Sequence, residues 1–392
     1  MSDTTFITRV ILQNYKSIVS CDVSLGSLTF LVGPNGSGKS NFLDALHFVA
    51  DALRTTLSQA INNRNGFPRI VSRHSNDNWF SIRLELALDN ETTGYYAFSV
   101  EGQLPTGFAV RDEECVLTSK NGVTKAYFKL HDGTLSTSEL VAPAIVSTER
   151  LYLVPASSLP AFQPVYEALF NMGFYNFNLA KMRALEQPET SGLLESDGSN
   201  IAAVFSKIVN NQRAKERIKA YLAVILPELK EIEITEIPPL KVLTFRQLVS
   251  GTIKDFFLSS LSDGVLRAFG ILVVLFQGNK GKSSNIKLVG IEEPELAIHP
   301  STMTVILDSL REGSAYKQVI VTSHSPDLID DKDFDPHTIL AVVAEDGITK
   351  IGHLDEVSLS AINDHLYTTG ELLRLNQLTP ALSNLVDQGD RR

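Results

Sequence analysis

The stretch Gly33-Pro34-Asn35-Gly36-Ser37-Gly38-Lys39-Ser40 constrains this chain more than any other, because the pattern G-x-x-x-x-G-K-S is tied to one local geometry. The run before it, Leu28 to Val32, is apolar and strand-like. The run after it, Asn41 to Val49, carries apolar residues at helical spacing. Strand, loop and helix in that order make a phosphate cradle. Glycines let the backbone curl so that N–H groups converge, and the helix adds the positive end of its dipole. Lys39 supplies a cation for the β- and γ-phosphates of ATP. Asn35, Gly36, Ser37, Gly38 and Asn41 are further candidates for nucleotide contact, and the Ser40 hydroxyl is a candidate ligand for Mg2+.

At 392 residues the chain has room for two or three domains, or for one large domain with an insertion. A net charge of −10 argues against bulk attraction to nucleic acid or to a membrane surface. Cys21 and Cys115 stand in no metal-ligand pattern and read as ordinary thiols of a reducing compartment. The start Met1 to Thr5 lacks a basic region followed by an apolar run, so no signal peptide is expected. The densest apolar run, Ala268 to Phe276, is too short for a membrane span. The expectation is a soluble cytoplasmic protein.

In chain order, residues 5–32 read as two strands around a turn, with Asn14-Tyr15-Lys16-Ser17-Ile18 between them. A helix from Lys39 is expected to run to about Asn62. Residues 79–130 alternate like an antiparallel sheet, with turn signals at Asp89-Asn90, Lys120-Asn121-Gly122 and Asp132-Gly133. From 147 the pattern becomes helical. Ala161–Met172 and Ser199–Leu226 each read as one helix, the second with a basic bias at Arg213, Lys215, Arg217 and Lys219. Strands are expected at Glu231–Ile237, Lys241–Leu248, Ile286–Ile291 and Gln318–Thr322, helices after Asp263 and at Thr302–Arg311, and a closing hairpin over Asp346-Gly347. The resulting division is an N-terminal lobe at 1–146, a helical insert at 147–237, a C-terminal lobe at 238–376 and a flexible tail at 377–392.

Three more stretches carry chemistry. Lys287 to Ile291 is an apolar strand that ends in Glu292-Glu293. The strand beside a phosphate loop commonly delivers one acid to the metal and another to water. Glu292 is therefore the candidate magnesium acid, through a water because of its extra methylene, and Glu293 the candidate that polarises the attacking water. Val321-Thr322-Ser323-His324 is a strand ending in a histidine, which at that end faces the ligand crevice of an open α/β sheet and can contact a γ-phosphate. In Leu261-Ser262-Asp263-Gly264, Ser262 is a good helix N-cap and Gly264 permits close approach to a ligand.

The order Asn14-Tyr15-Lys16-Ser17, phosphate loop, Leu261-Ser262-Asp263-Gly264, Glu292-Glu293-Pro294-Glu295 with His299-Pro300, and Thr322-Ser323-His324-Ser325-Pro326 resembles the ABC-type ATPases of the RecF/SMC/OLD group. More narrowly, it resembles the compact ATPases termed AAA_21 and AAA_15, and Gly192–Ala202 and Thr369–Leu373 resemble parts of that subgroup. The resemblance implies an α/β fold: a P-loop NTPase of ABC-ATPase head type, with a mixed central sheet, an antiparallel β subdomain and a helical insert. It implies that Ser262, Asp263 and Gly264 seal the γ-phosphate held by another copy, that Lys16 lies near the base or ribose, and that His299-Pro300 opens the loop crossing the dimer seam. Two departures from the usual pattern are Asp263 in place of a second signature glycine and Glu292 in place of Asp. The Q-loop glutamine has no clear position, Gln163 being a candidate in a poor context.

Two functions follow from these readings. The first is an ATP-hydrolysing switch that pairs head to tail, as a homodimer or larger homo-oligomer. It would control a separate effector, a nuclease or toxin, in prokaryotic defence against phage. The second is a RecF-like DNA-binding repair ATPase, motivated by the basic bias at 213–219. A transporter subunit would need a better signature, and a self-contained OLD nuclease would need an acid pair after Val343-Ala344-Glu345-Asp346-Gly347, which reads instead as a hairpin turn.

Overall fold

The computed structural model describes residues 5–103, 107–139, 149–184, 192–237, 240–278, 286–331 and 334–381. In chain order it opens with β1 (Ile7–Tyr15), β2 (Ile18–Ser24) and β3 (Leu28–Val32), then α1 (Lys39–Arg54) and α2 (Leu57–Asn62). Five strands follow: β4 (Trp79–Ala87), β5 (Thr92–Gln103), β6 (Gly107–Ser119), β7 (Thr124–His131) and β8 (Thr134–Thr137). Next come α3 (Leu153–Ala156), α4 (Gln163–Phe170), β9 (Gly173–Tyr175), α5 (Leu179–Arg183), α6 (Ile201–Ile208) and α7 (Gln212–Ile225). A small sheet is built from β10 (Leu229–Ile237), β11 (Leu240–Val249) and β12 (Thr252–Phe257). The chain continues through α8 (Asp263–Phe276), β13 (Leu288–Glu292), α9 (Met303–Ser314), β14 (Gln318–Ser323) and α10 (Pro326–Ile329). It closes with the hairpin β15 (Ile339–Glu345) and β16 (Ile348–His353), then α11 (Glu356–Asn363) and α12 (Thr369–Arg374).

The central sheet has the order β16-β15-β3-β14-β13-β9, parallel except for β16. Every residue of β3 and β14 is buried, as expected of parallel strands covered on both faces. The phosphate-loop strand β3 lies between β15 and β14. Its direct neighbour is therefore the histidine strand, and the acid-bearing β13 is one place further out. The expectation that the strand beside the loop carries the acids is corrected here. Register still aligns the ends: Glu292 is level with Thr322, and Thr322 with Leu31. All three strands thus release their chains at one rim of the sheet.

A second, antiparallel sheet has the order β2-β1-β4-β5-β6-β7-β8. It buries Phe80 and Phe98 against the apolar face of α1, which carries Phe42, Leu46, Phe48 and Val49, and Phe128 against Tyr152 and Phe162. A second core gathers α6, α7, α8 and α9 over the other side of the central sheet. The signature helix α8 sits in its middle, with twelve consecutive residues from Val265 to Phe276 buried.

Several local readings change. Residues 5–32 hold three strands, because Ile18–Ser24 returns along β1 as a hairpin partner. The expected single helix at 39–62 breaks at Thr55-Thr56, where the Thr56 hydroxyl accepts from Gln59 N–H and starts α2. The expected helix at 199–226 is likewise two helices, with Asn211 capping α7 through Ala214 N–H. Within the stretch read as a helical insert, β9 pairs with β13 and edges the central sheet. Three residues are too few to show a strand period. The strand β12 was not anticipated. The closing hairpin forms as expected, with Asp346 and Gly347 at positive φ. Of the expected tail, residues 382–392 lie outside the described residues.

Candidate functional site

The loop between β3 and α1 has the shape of an anion cradle. The N–H groups of Gly38, Lys39 and Ser40 find no acceptor among the described residues, and α1 has no side-chain N-cap. Gly38 is held at φ 106°, and a Cβ there would lie 2.0 Å from Thr349 Oγ1, so only glycine fits. Lys39 Nζ folds back on the carbonyls of Gly33 at 2.8 Å and Pro34 at 2.9 Å. Burial pulls its pKa below the usual amine value, and the carboxylates of Glu293 and Glu295 oppose that pull. The Ser37 hydroxyl is buried without a hydrogen-bond partner. Asn35 and Gly36 are exposed at the loop tip.

At the rim beside the loop, Ser40 Oγ donates to Glu292 Oε2 at 3.0 Å. The carboxylate and the serine hydroxyl are thus in direct contact. Burial raises the Glu292 carboxyl above its ordinary range, against the Ser40 hydrogen bond, with Glu293 adding to the rise. Two hard oxygens in contact suit a magnesium ion, which takes few protein ligands and completes its shell from phosphates and water. No cluster of three or more His, Cys, Asp or Glu side chains of metal-binding type occurs among the described residues.

Glu293 turns out of the strand at φ 44°, a strained backbone for glutamate. Its N–H is held by Thr322 O at 3.0 Å, which fixes the backbone at that turn. His324 Nδ1 lies 3.4 Å from Glu293 Oε1 and 3.6 Å from Glu295 Oε1. Sequence reasoning gave Glu295 no role, yet it is buried and organises this corner. Its Oε1 accepts from Ser323 Oγ at 2.7 Å and from His324 N–H at 3.1 Å. Glu295 Oε2 and His324 Nδ1 are both buried without a hydrogen bond among the described residues.

Ser262 caps α8 by accepting from Val265 N–H, and Ser262 and Asp263 are exposed. Asp263 is paired with Arg183 Nη2 at 2.5 Å, and the same nitrogen donates to Leu261 O. Gly264 makes a close approach, but to this chain: a Cβ would stand 2.6 Å from the Ala297 carbonyl oxygen. The expectation that Gly264 is small for a ligand's sake therefore has a second cause, the loop after Glu293. One turn further on, Arg267 is 6 % exposed, with Nε and Nη1 unpartnered among the described residues. Burial lowers its pKa, and Glu293 and Glu295 oppose this. A single arginine in so apolar a helix was the signal that could have revealed it.

The turn Asn14 to Ser17 works by holding α1. Lys16 Nζ pairs with Asp44 at 2.5 Å, and Tyr15 donates to the same carboxylate at 2.8 Å. Arg64 joins them at 2.8 Å. The Lys16 charge is thus engaged by helix α1. Asn41 similarly donates to Ser17 Oγ. The basic bias on α7 is largely neutralised: Lys215 and Lys219 pair with Glu231, and Arg217 with Glu312. The side chain of Gln163 donates to Glu167 within α4. His299 follows Glu295 by four residues, in the loop that Gly264 touches.

Comparison with known proteins points to ATPases. A family model described as "AAA domain, putative AbiEii toxin, Type IV TA system" matches residues 142–330, and one described as "AAA ATPase domain" matches residues 6–142. An ATP/GTP phosphatase of Helicobacter pylori is 22% identical over 370 residues, spanning 87% of this chain and 93% of that protein. The RecF replication and repair protein of Vibrio vulnificus is 28% identical over 101 residues, 25% of this chain and 28% of RecF. Endonuclease GajA of Bacillus cereus is 20% identical over 348 residues, 83% of this chain and 56% of GajA. Among solved structures, an SMC head bound to the C-winged helix domain of ScpA superposes with a TM-score of 0.54 at 15% identity, covering 91% of this chain and all of that one. That likeness shows the fold, a P-loop head of mixed α/β sheets. No helix among the described residues is long and apolar enough to cross a membrane. Motif order, fold and family models together fit an ATPase of ABC type, similar to those of the RecF/SMC/OLD group.

Proposed function

We propose that this ATPase is a switch in which two copies close head to tail around ATP. Each phosphate loop, Asn35 to Asn41, holds one nucleotide through free N–H groups and Lys39. The Ser262–Gly264 segment of the other copy covers its γ-phosphate. Ser40 and Glu292 would hold Mg2+, which supplies charge neutralisation at the phosphates when bound. Glu293 orients and deprotonates the attacking water, and His324 donates a hydrogen bond to the γ-phosphate from the end of β14.

The observation that carries this reading is the exposure of Ser262 and Asp263 at the head of an otherwise buried helix. None of the hydrogen bonds made by Ser262, Asp263 or Gly264 goes to the chain's own phosphate loop. A lid that faces outward needs a nucleotide from elsewhere. Closure is then a population shift, driven by γ-phosphate contacts available only in the pair. The output is placed in a separate effector, a nuclease or toxin, in defence against phage. The kinship to GajA, an endonuclease of which this chain spans 56%, supports that placement, as does the toxin wording of the matching family model.

The test is Glu293→Gln with ATP and magnesium on a sizing column with light scattering. An ATP-dependent dimer or larger assembly that ADP does not sustain is expected. A monomer under saturating ATP would overturn the switch. The RecF-like reading, direct DNA binding, is disfavoured by Glu231 and Glu312, which pair with the basic residues of α7. Duplex ends that bind with a steep salt dependence and stimulate hydrolysis would restore it.

A further inference from the structure

A one-way run of hydrogen bonds joins the Lys16-Ser17 turn, the start of α1 and strand β16 to the phosphate loop. Asn41 Nδ2 donates to Ser17 Oγ at 2.6 Å. Ser17 Oγ and Thr349 Oγ1 are 2.7 Å apart, and Thr349 Oγ1 donates to the Ser37 carbonyl at 2.9 Å. A hydroxyl has one proton. Thr349 spends its proton on the carbonyl, so Ser17 must donate to Thr349, and the links all point toward the loop. The backbone locks the same junction, since Thr349 N–H donates to Ser17 O at 2.8 Å. Thr349 is 1 % exposed and fills the space where a side chain at Gly38 would stand.

The target of this run is one peptide unit, Ser37–Gly38. A trans peptide is planar, and its C=O and N–H point in opposite directions. A carbonyl drawn outward to Thr349 turns the Gly38 N–H to the opposite side, where it has no acceptor among the described residues. Glycine at φ 106° would otherwise let this peptide rotate with little steric penalty. A rotated peptide would offer the phosphate a carbonyl oxygen in place of a donor.

We propose that Thr349 is a positioning residue of the phosphate loop. Its hydroxyl sets the Ser37–Gly38 peptide so that the Gly38 N–H is aimed at a phosphate before nucleotide arrives. Ser17 and Asn41 set the direction of that hydroxyl, so the Asn14–Ser17 turn acts on nucleotide through the loop. The gain is preorganisation: a donor already aligned costs no reorganisation on binding. The inference rests on residues 33–40 being the phosphate cradle.

The test measures ATP and ADP affinity, kcat and KM, and melting temperature for T349V, T349S and K39A. T349V keeps the shape and removes the donor. It is expected to weaken ATP and ADP binding and raise KM by about tenfold, the worth of one aligned hydrogen bond, with kcat within about twofold. T349S restores the donor and is expected to bind within about twofold of the parent chain. A merely structural residue would instead lower the melting temperature in all Thr349 variants and leave KM in place. T349V binding ATP like the parent, while K39A abolishes binding, overturns the inference alone. K39A binding normally overturns the cradle itself. If T349V does not fold, T349A, which likewise removes the donor, is read the same way, and unchanged KM there overturns the proposal.

Discussion

Gly264→Ala should separate hydrolysis from nucleotide binding. The added methyl carbon would sit 2.6 Å from the Ala297 carbonyl oxygen, where ordinary contact begins at 3.4 Å. Neither partner is a flexible side-chain tip. One is the first turn of α8, the other the backbone of the loop after β13, in which Ala297 already stands at φ 62° and Glu293 at φ 44°. Most of an ångström must be taken up by moving one against the other. Overpacking of this kind costs about 1–3 kcal/mol of stability. The loop that yields carries Glu293, so the proposed base is displaced by a comparable amount. A misplacement near 1 Å at reacting groups is worth about 100-fold in rate. The phosphate loop lies on β3, with β14 between it and β13, and is not pushed. The expected outcome is kcat lower by about 10–100-fold, ATP affinity within about twofold, and a melting temperature reduced by several degrees. Steady-state phosphate release, equilibrium nucleotide binding and calorimetry measure the three. Parent-like turnover with a parent-like melting temperature would refute the contact; lost ATP affinity would refute the separation of loop from lid.

Other outcomes are expected as well. Glu295→Gln removes the charge that faces His324 while leaving an acceptor for Ser323, so kcat should fall by about tenfold with ATP affinity retained, and Glu295→Asp should fall further because the shorter arm loses both hydrogen bonds. Two buried groups should shape the pH dependence of stability. Burial raises Glu113 from 4.5 to about 7 against hydrogen bonds from Tyr152 N–H, Leu153 N–H and the Tyr96 hydroxyl. Its folded form therefore holds a proton that the unfolded chain has lost, and stability falls between pH 4.5 and 7 by about 3 kcal/mol. Burial lowers Lys317 from 10.5 to about 7, so the unfolded chain binds the extra proton and stability rises between pH 7 and 10.5 by about 5 kcal/mol. Denaturant titrations should show a dip near neutral pH that Glu113→Gln and Lys317→Met each remove on one side; a flat profile in the parent chain would contradict both.

Much of this architecture could be read along the chain, because its signals are local. The phosphate loop needs only a strand, three glycines and a helix start, all contiguous between Leu28 and Val49. The alternation from Trp79 to Leu130 likewise announced strands β4 to β7, and Asp346-Gly347 the closing hairpin. What failed was also local in cause. Thr56 and Asn211 satisfy backbone N–H groups from their side chains and so cut long apolar-periodic runs into pairs of helices. The strand β9 is too short to have a period.

The residues around the site divide by whether their partners are near in sequence. Lys39, Ser40, Ser262, Glu292, Glu293 and His324 were identified from contiguous patterns, since a motif carries its own backbone geometry. Glu295 with His324, Gly264 with Ala297, and Thr349 with Ser17 and Ser37 could not be, because each pairing spans dozens to hundreds of residues. Folding alone brings them together. A side chain's electrostatics and packing depend on what lies within a few ångströms, and strand order, unlike strand existence, is set by how two cores close on opposite faces of one sheet. The chain's order thus specifies which groups are available for ATP chemistry; which of them touch, and which are left buried and unpaired beside it, follows from closure of the sheet.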